Sequence, residues 1–269
     1  MRYSAVSVLV NKMIEYIDTH AHIMGQEYNE DFDQMLDRCK AANIKEILII
    51  TLKLEETRRA LDFAKKDPQK YKVAMGIFPE DVCDVTEEYW QQFQSLASDP
   101  GISVIGEIGL DYYWVKDEEK RALQREWFIR QIELANQLHK PIAVHSRDAI
   151  QDTFDIMKEH RCKGLLHCFS GTKEMAKEFT KLGYYIALGG ALTFKNARHS
   201  VEVVETVDEK YLLTETDCPY MTPVPFRGKR NEPCYIPYIL KKMADVRGVS
   251  EEHMAETVMN NYHRYLNCE

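Results

Sequence analysis

"MIEYIDTHAHIMG", residues 13–25, is an alternating apolar run that ends in two histidines. Its period of two and its β-branched and aromatic residues predict a strand over Ile14–His20. Alternation sets His20 and His22 on one face of that strand, at its C-terminal end. No G-x-G-x-x-G follows, which argues against a doubly wound dinucleotide-binding sheet.

The same rhythm continues outward from this first strand. Further strands are expected at Glu46–Thr51, Tyr71–Ile77, Ser103–Leu110, Pro141–His145, Gly164–Phe169, Tyr184–Gly189 and Tyr211–Thr216. Helical periodicity lies between them. In 30–42 it is carried by Phe32, Met35, Leu36, Cys39 and Ala42, and in 118–139 by Leu123, Trp127, Phe128, Ile132, Ala135 and Leu138. A last helix, 250–266, opens on Ser250 as N-cap, whereas 190–208 is only weakly periodic. Strand–helix alternation implies parallel strands joined by right-handed crossovers. Eight such units in ~250 residues predict an α/β fold, a closed (β/α)8 TIM barrel in one domain over 13–269. Residues 1–12 read as an N-terminal leader ahead of the fold, with Met13 an alternative start.

Bulk composition removes several classes of function. A net charge of −8 argues against a generally basic nucleic-acid coat. Seven cysteines without a Cys-x-x-Cys fit free thiols in a reducing cytoplasm better than a disulfide framework. No run approaches the ~18 apolar residues of a membrane span, so no membrane partner is expected.

A TIM barrel carries its reactive groups at the C-terminal ends of its strands. There the sequence places His20, His22, Glu107 of "IGEIGLD", His145 of "IAVHSRD", His167 of "LLHCFSG" and Asp217 of "LLTETDCPY". Four imidazoles and two carboxylates exceed the needs of one ~four-coordinate zinc and suit two divalent ions bridged by a carboxylate. Alternation turns Cys168 and Cys218 toward the outer helices, which leaves a nitrogen and oxygen ligand set. Such a set accepts Zn, Mn, Co, Ni or Mg, with Mg the least natural beside four histidines. Glu215 shares a face with Asp217 and is expected to orient a ligand or a basic neighbour; Asp18 precedes His20 by two and is a candidate supporting partner. The loop "PFRGKRNEP", 225–233, presents Arg227, Lys229 and Arg230, and Arg147 follows His145; these suit phosphate. Tyr112, Tyr113 and Trp114 are candidates for stacking on a base.

The motifs together resemble TatD-type metal-dependent hydrolases of the amidohydrolase superfamily. The resemblance is carried by "DTHAH" at 18–22, "GEIGLDYY" at 106–113, "HSRDA" at 145–149, "HCFSG" at 167–171, "GGALTFKNA" at 189–197, "ETDCPY" at 215–220 and "PVPFRGKRNEP" at 223–233. It implies one ion on His20, His22, Glu107 and Asp217, and a second on Glu107, His145 and His167. It also implies phosphodiester hydrolysis of DNA or oligonucleotides, of 3'-5' exonuclease type, by a hydroxide shared between the ions. Asp217 and Glu107 are the catalytic candidates, Asp217 as general base. Two positions depart from the family pattern. Phe78 in "GIFPED" and Phe226 in the basic loop stand where relatives carry histidine. Both are expected at the pocket rim as substrate contacts, and they favour an alternative, hydrolysis of a carboxylic ester or amide such as an aminoacyl-tRNA. A monomer or weak oligomer is expected.

Overall fold

The computed structural model describes residues 13–267, so the expected leader over 1–12 lies outside the described residues. Eight strands follow one another around one sheet: β1 (Tyr16–Ala21), β2 (Ile44–Thr51), β3 (Tyr71–Met75), β4 (Ile102–Asp111), β5 (Ile142–Arg147), β6 (Gly164–Leu166), β7 (Tyr185–Leu188) and β8 (Leu212–Thr214). Each pairs in parallel with the next. The helices are α1 (Phe32–Ala41), α2 (Leu54–Ala64), α3 (Glu87–Ala97), α4 (Glu118–Gln137), α5 (Ile150–Glu159), α6 (Lys173–Lys181), α7 (Arg198–Thr206), α8 (Ile236–Arg247) and α9 (Glu251–Leu266). The architecture is the single-domain (β/α)8 barrel. Strands covered on both faces need no polar face, which is why Ile47, Leu48, Ile49 and Ile50 run consecutively and are all fully buried.

Local chemistry sets the helix ends. Ser250 accepts the backbone N–H of His253 at 3.1 Å, and Thr86, Asp117 and Thr172 start α3, α4 and α6 in the same way. Each such cap stabilises by about 1 kcal/mol. Helix α8 stops at Gly248, whose φ of 67° is left-handed and suits a residue without Cβ. The weakly periodic stretch 190–208 divides into a 3-10 turn, Gly190–Thr193, and α7. Strands β6 and β8 are shorter than expected. Cys168 (φ 46°) and Asp217 (φ 53°) turn left-handed just beyond them, and that conformation ends the extended ladder.

The barrel closes between β8 and β1. Ala21 bridges Cys218, His22 N–H donates to Cys218 O at 3.0 Å, and Asp217 N–H donates to His20 O at 3.0 Å. Asp18 clamps the same seam. Its fully buried carboxylate accepts Thr216 N–H at 2.9 Å, the Thr216 hydroxyl at 2.5 Å and His20 N–H at 3.2 Å. Burial pushes the Asp18 carboxyl up to about 7 against the Thr216 hydrogen bonds. Asp18→Ala leaves three buried donors unpaired and is expected to cost about 3 kcal/mol or more in a urea unfolding curve. Asp18→Asn keeps one acceptor oxygen and is expected to cost less than half of that; equal losses would mean that the hydrogen bonds do not hold the seam.

No helix among the described residues is long and apolar enough to cross a membrane. Among the described residues Cys39, Cys83, Cys168, Cys218 and Cys234 are free thiols.

Candidate metal centre

Strand β4 brings Glu107 to the middle of the barrel mouth, where it is buried. Gly109, two residues on, has φ 138°, and a Cβ there would collide with the carbonyl of His145; glycine lets β4 press against β5 at this level. The two oxygens of Glu107 face different histidine pairs. Oε2 lies 3.4 Å from His20 Nε2 and 3.5 Å from His22 Nε2, while Oε1 lies 2.9 Å from His145 Nδ1 and 3.6 Å from His167 Nε2. Asp217 Oδ1 sits 3.6 Å from His22 Nε2, 3.8 Å from His167 Nε2 and 3.9 Å from His20 Nε2. The rings of His20 and His167 stack at 3.5 Å between centroids. His20, His22 and Asp217 form one group with ligand atoms within 4.8 Å of one another, and Glu107, His145 and His167 form a second.

The donor set fits cations. His20 Nε2 and His22 Nε2 face each other at 3.2 Å, a contact between two imidazole nitrogens of which at most one carries a proton when the rings are neutral. His20 Nδ1 is buried without a hydrogen-bond partner. These residues could hold divalent ions, as imidazole and carboxylate donors do in known sites.

Neighbouring residues orient the donors. Glu215, fully buried, accepts from His167 Nδ1 at 3.1 Å and from the Cys168 backbone N–H. That is the carboxylate–histidine arrangement that aims the other ring nitrogen at a metal. Asp111 does the same for His145, whose Nε2 lies 3.2 Å from its Oδ2. The sequence reading passed over Asp111. Its place four residues after Glu107 on one strand is the signal that could have found it. Asp18 acts on the backbone of the seam, as described above.

Electrostatics follow from this crowding. Burial and the neighbouring His167 lower His20 to about 4. Burial also opposes charge on His145, but Asp111 and Glu107 outweigh it and raise it to about 9. His167 likewise overcomes burial through Glu215, Glu107 and Asp217 and rises to about 10. Burial pushes Asp217 upward against His167 and His22, whereas the imidazoles hold Glu107 well below the usual carboxylate range despite its burial. A metal ligand must be neutral imidazole. Folded-state values above the ordinary one near 6.5 mean that His145 and His167 hold protons at pH 7 in the metal-free chain. Metal binding by these residues is therefore expected to release protons, since His22 is raised as well, with apparent affinity rising with pH. Calorimetry in buffers of different ionisation enthalpy reads this directly. Zero release would remove both imidazoles from the ligand set.

The expected substrate contacts divide. Arg147 is exposed, with its guanidinium 3.9 Å from the Tyr113 ring centroid and 5.6 Å from that of Trp114. Tyr113 and Trp114 are themselves exposed, at 43% and 61%. Tyr112 is not at the rim: it is buried, and its hydroxyl joins Asp152 at 2.7 Å and Arg125 at 2.9 Å, because the strand's alternation carries it between helices. Arg230 is not free either. It pairs with Asp31 at 2.7 Å and Glu232 at 2.8 Å and lies over Tyr28, tying the loop after β8 to the start of α1. Arg227 is exposed over Phe194, and Lys229 is exposed near Phe226. Phe78 meets His145 edge-on, with centroids 4.9 Å apart. Phe226 instead stacks on Tyr235 at 4.5 Å and abuts Tyr238.

One expectation about the cysteines is overturned. Cys218 is fully buried, as alternation predicts, but Cys168 points its sulfur toward Asp217 Oδ2 at 4.0 Å. The left-handed backbone at Cys168 breaks the alternation on which the outward reading rested. Burial, with Asp217, Glu215 and Glu107 nearby, raises the Cys168 thiol well above its ordinary value.

Residues 17–267 match the family model described as TatD related DNase. The chain is 38% identical over 250 residues to the metal-dependent hydrolase YabD of Bacillus subtilis (strain 168), covering 92% of this chain and 97% of that protein. It is 33% identical over 259 residues to the metal-dependent hydrolase YcfH of Escherichia coli (strain K12), covering 94% and 96%. Among solved structures it is similar to YJJV, a TatD homologue from Escherichia coli K12, with a TM-score of 0.86 and 26% identity, covering 94% and 98%. A match of that extent, over a barrel of the same shape, makes the chain a member of the TatD related DNase family of metal-dependent hydrolases.

Proposed function

We propose that the protein is a two-metal phosphodiesterase acting on DNA or short oligonucleotides, of 3'-5' exonuclease type. The observation that carries the two-ion reading is the division of Glu107, one oxygen toward His20 and His22 and the other toward His145 and His167. His20, His22, Glu107 and Asp217 would hold one divalent ion, and Glu107, His145 and His167 the other. When bound, such ions act as Lewis acids and let water ionise near neutral pH. Asp217 would accept the proton of the attacking water on its carboxylate. Glu215 and Asp111 keep His167 and His145 aimed. Arg147 steadies a phosphate oxygen, with Tyr113 and Trp114 beside it for a base; Arg227 and Lys229 add charge at the mouth. Free thiols among the described residues fit the cytoplasmic setting of this reading.

Phe78 favours a second reading, hydrolysis of a carboxylic ester or amide such as an aminoacyl-tRNA. A phenyl ring against His145 offers no donor to phosphate. A substrate panel with added Mn or Zn separates the two. DNA, bis-p-nitrophenyl phosphate, p-nitrophenyl acetate and aminoacyl-tRNA are assayed side by side. Cleavage of DNA and of the phosphodiester is expected. Turnover confined to the ester or the aminoacyl-tRNA would replace the nuclease reading with the second one.

A further inference from the structure

The opposite end of the barrel carries charge that the chemistry at the mouth does not use. Where the strands begin, the α1–β2, α2–β3 and α4–β5 turns and the end of α9 enclose a groove of about 1160 Å³. Five lysines line it, Lys40, Lys45, Lys70, Lys72 and Lys140, in a chain whose net charge is −8. Only two acids line it with them; Glu46 meets His263 Nε2 at 2.6 Å, and Asp67 accepts the Lys70 backbone N–H at 3.1 Å. Lys45 pairs with Glu15 at 3.6 Å, whereas the other four ammonium groups have no carboxylate partner among the described residues. Lys72 donates to Pro68 O at 2.6 Å, and Lys140 to Ala97 O at 2.5 Å and Asp99 O at 2.9 Å. Those neutral oxygens position the amines without cancelling their charge. Helix C-termini attract cations, which accounts for Lys40 in the last turn of α1 and Lys140 just past α4. It does not account for Lys70 and Lys72, which lie beyond the end of α2 at Ala64 and flank Tyr71, the first residue of β3.

We propose that this groove binds the sugar–phosphate backbone of a nucleic-acid strand and gives the protein a second hold on long substrates, remote from the mouth. The choice of a nucleic-acid strand rests on the nuclease reading above. Three features favour a backbone over a small ligand. The groove exceeds the roughly 300–1,000 Å³ of small-molecule sites. No Phe, Tyr or Trp lines it, so it offers phosphate contacts without a platform for a base. Its permanent cations are all lysines, point charges on flexible stems; these suit a sequence-independent backbone, whereas bidentate capture of a single phosphate is arginine chemistry. Distance sets the length of strand required. The ten residues of β4 at about 3.3 Å each put the two ends of the barrel about 33 Å apart along the strand. At about 3.4 Å per phosphate, roughly ten nucleotides cover that span, and the path over the outer helices is longer. Short oligonucleotides therefore engage the mouth alone, and longer ones engage both ends.

The test compares the full chain with its Lys40→Gln/Lys70→Gln double variant, in which the thermal melt is expected to be unchanged. Fluorescence anisotropy follows binding of a labelled oligodeoxynucleotide of about 30 nucleotides across a salt series, with chelator present so that nothing is cut. Each phosphate contact on a single strand contributes about −0.7 to the slope of log affinity against log salt, so losing two lysines is expected to make the slope shallower by about 1.4. Between 50 and 200 mM salt that removes about 7-fold of the affinity loss. With Mn or Zn added, the double variant is expected to hydrolyse bis-p-nitrophenyl phosphate at the wild-type rate. Its KM is expected to rise several-fold for the long strand and to stay unchanged for one of about 6 nucleotides. Equal salt slopes in the two proteins would overturn the proposal. So would tripolyphosphate that binds more tightly than the long strand and loses that binding in the double variant, since the groove would then belong to a small polyphosphate. A shallower slope in a metal-loaded chain that cuts no DNA would keep the backbone site and overturn the nuclease reading instead.

Discussion

Glu107→Gln is expected to lower hydrolysis by at least about 10³-fold, since several kcal/mol of transition-state stabilisation go with the ions and each 1.4 kcal/mol is tenfold. Among the described residues, Glu107 is the one whose side chain reaches all four histidines of the cluster, at 2.9–3.6 Å. Glutamine has nearly the same volume, so packing is kept while one oxygen becomes an NH₂ donor. That donor then faces imidazole nitrogens or a cation, and either contact is unfavourable. Loss of the negative charge also removes a main support of the protonated His145 and His167, so the variant releases fewer protons when it binds metal. Elemental analysis and a steady-state assay measure the outcome together. A variant that retains two ions and a near-normal rate would remove Glu107 from the centre of the mechanism.

The second large effect is expected at Asp217. Asp217→Asn should retain at least one ion, because Glu107, His145 and His167 form a group without it, yet hydrolysis should fall about 10²–10⁴-fold. Asparagine can still offer one oxygen to an ion but cannot accept a proton at neutral pH. Comparison with Glu107→Gln separates the two roles: the first variant loses rate with metal retained, the second loses rate with metal lost. If Asp217→Asn loses metal and rate in the same proportion as Glu107→Gln, Asp217 is a ligand only. If its rate is near normal, Asp217 has no part in the chemistry.

Both predictions start from residues that stood out in the chain itself. Strand–helix alternation is written in local apolar patterning, so eight strands and the barrel class followed from it. Barrel geometry then ordered the polar residues, because strand ends of a parallel barrel open on one face. His20, His22, His145, His167 and Asp217 sit at or just beyond those ends, and Glu107 reaches the same mouth from four residues before the end of β4. The supporting carboxylates were partly visible. Glu215 shares the Asp217 face, but Asp111 was passed over, since a second acid on β4 has no partner until β5 is laid beside it.

Several features were decided by tertiary structure alone. Tyr112 and Tyr113 are adjacent and alike, yet one hydroxyl is bonded to Asp152 and Arg125 beneath the surface while the other ring is exposed beside Arg147. Arg230 sits among basic loop residues but is spent on Asp31 and Glu232, acids that are 199 residues before it and two after it. The Asp18 clamp joins residues 198 apart. Most telling is Cys168. The period-two rule assumes extended backbone, and one left-handed residue reverses which side the next atoms face. That conformation is held by Glu215, 47 positions later in the chain. Local patterning therefore determined the barrel and the residue types at its mouth. Which side chains look into the mouth was decided by long-range contacts, because only they override the backbone's local preference.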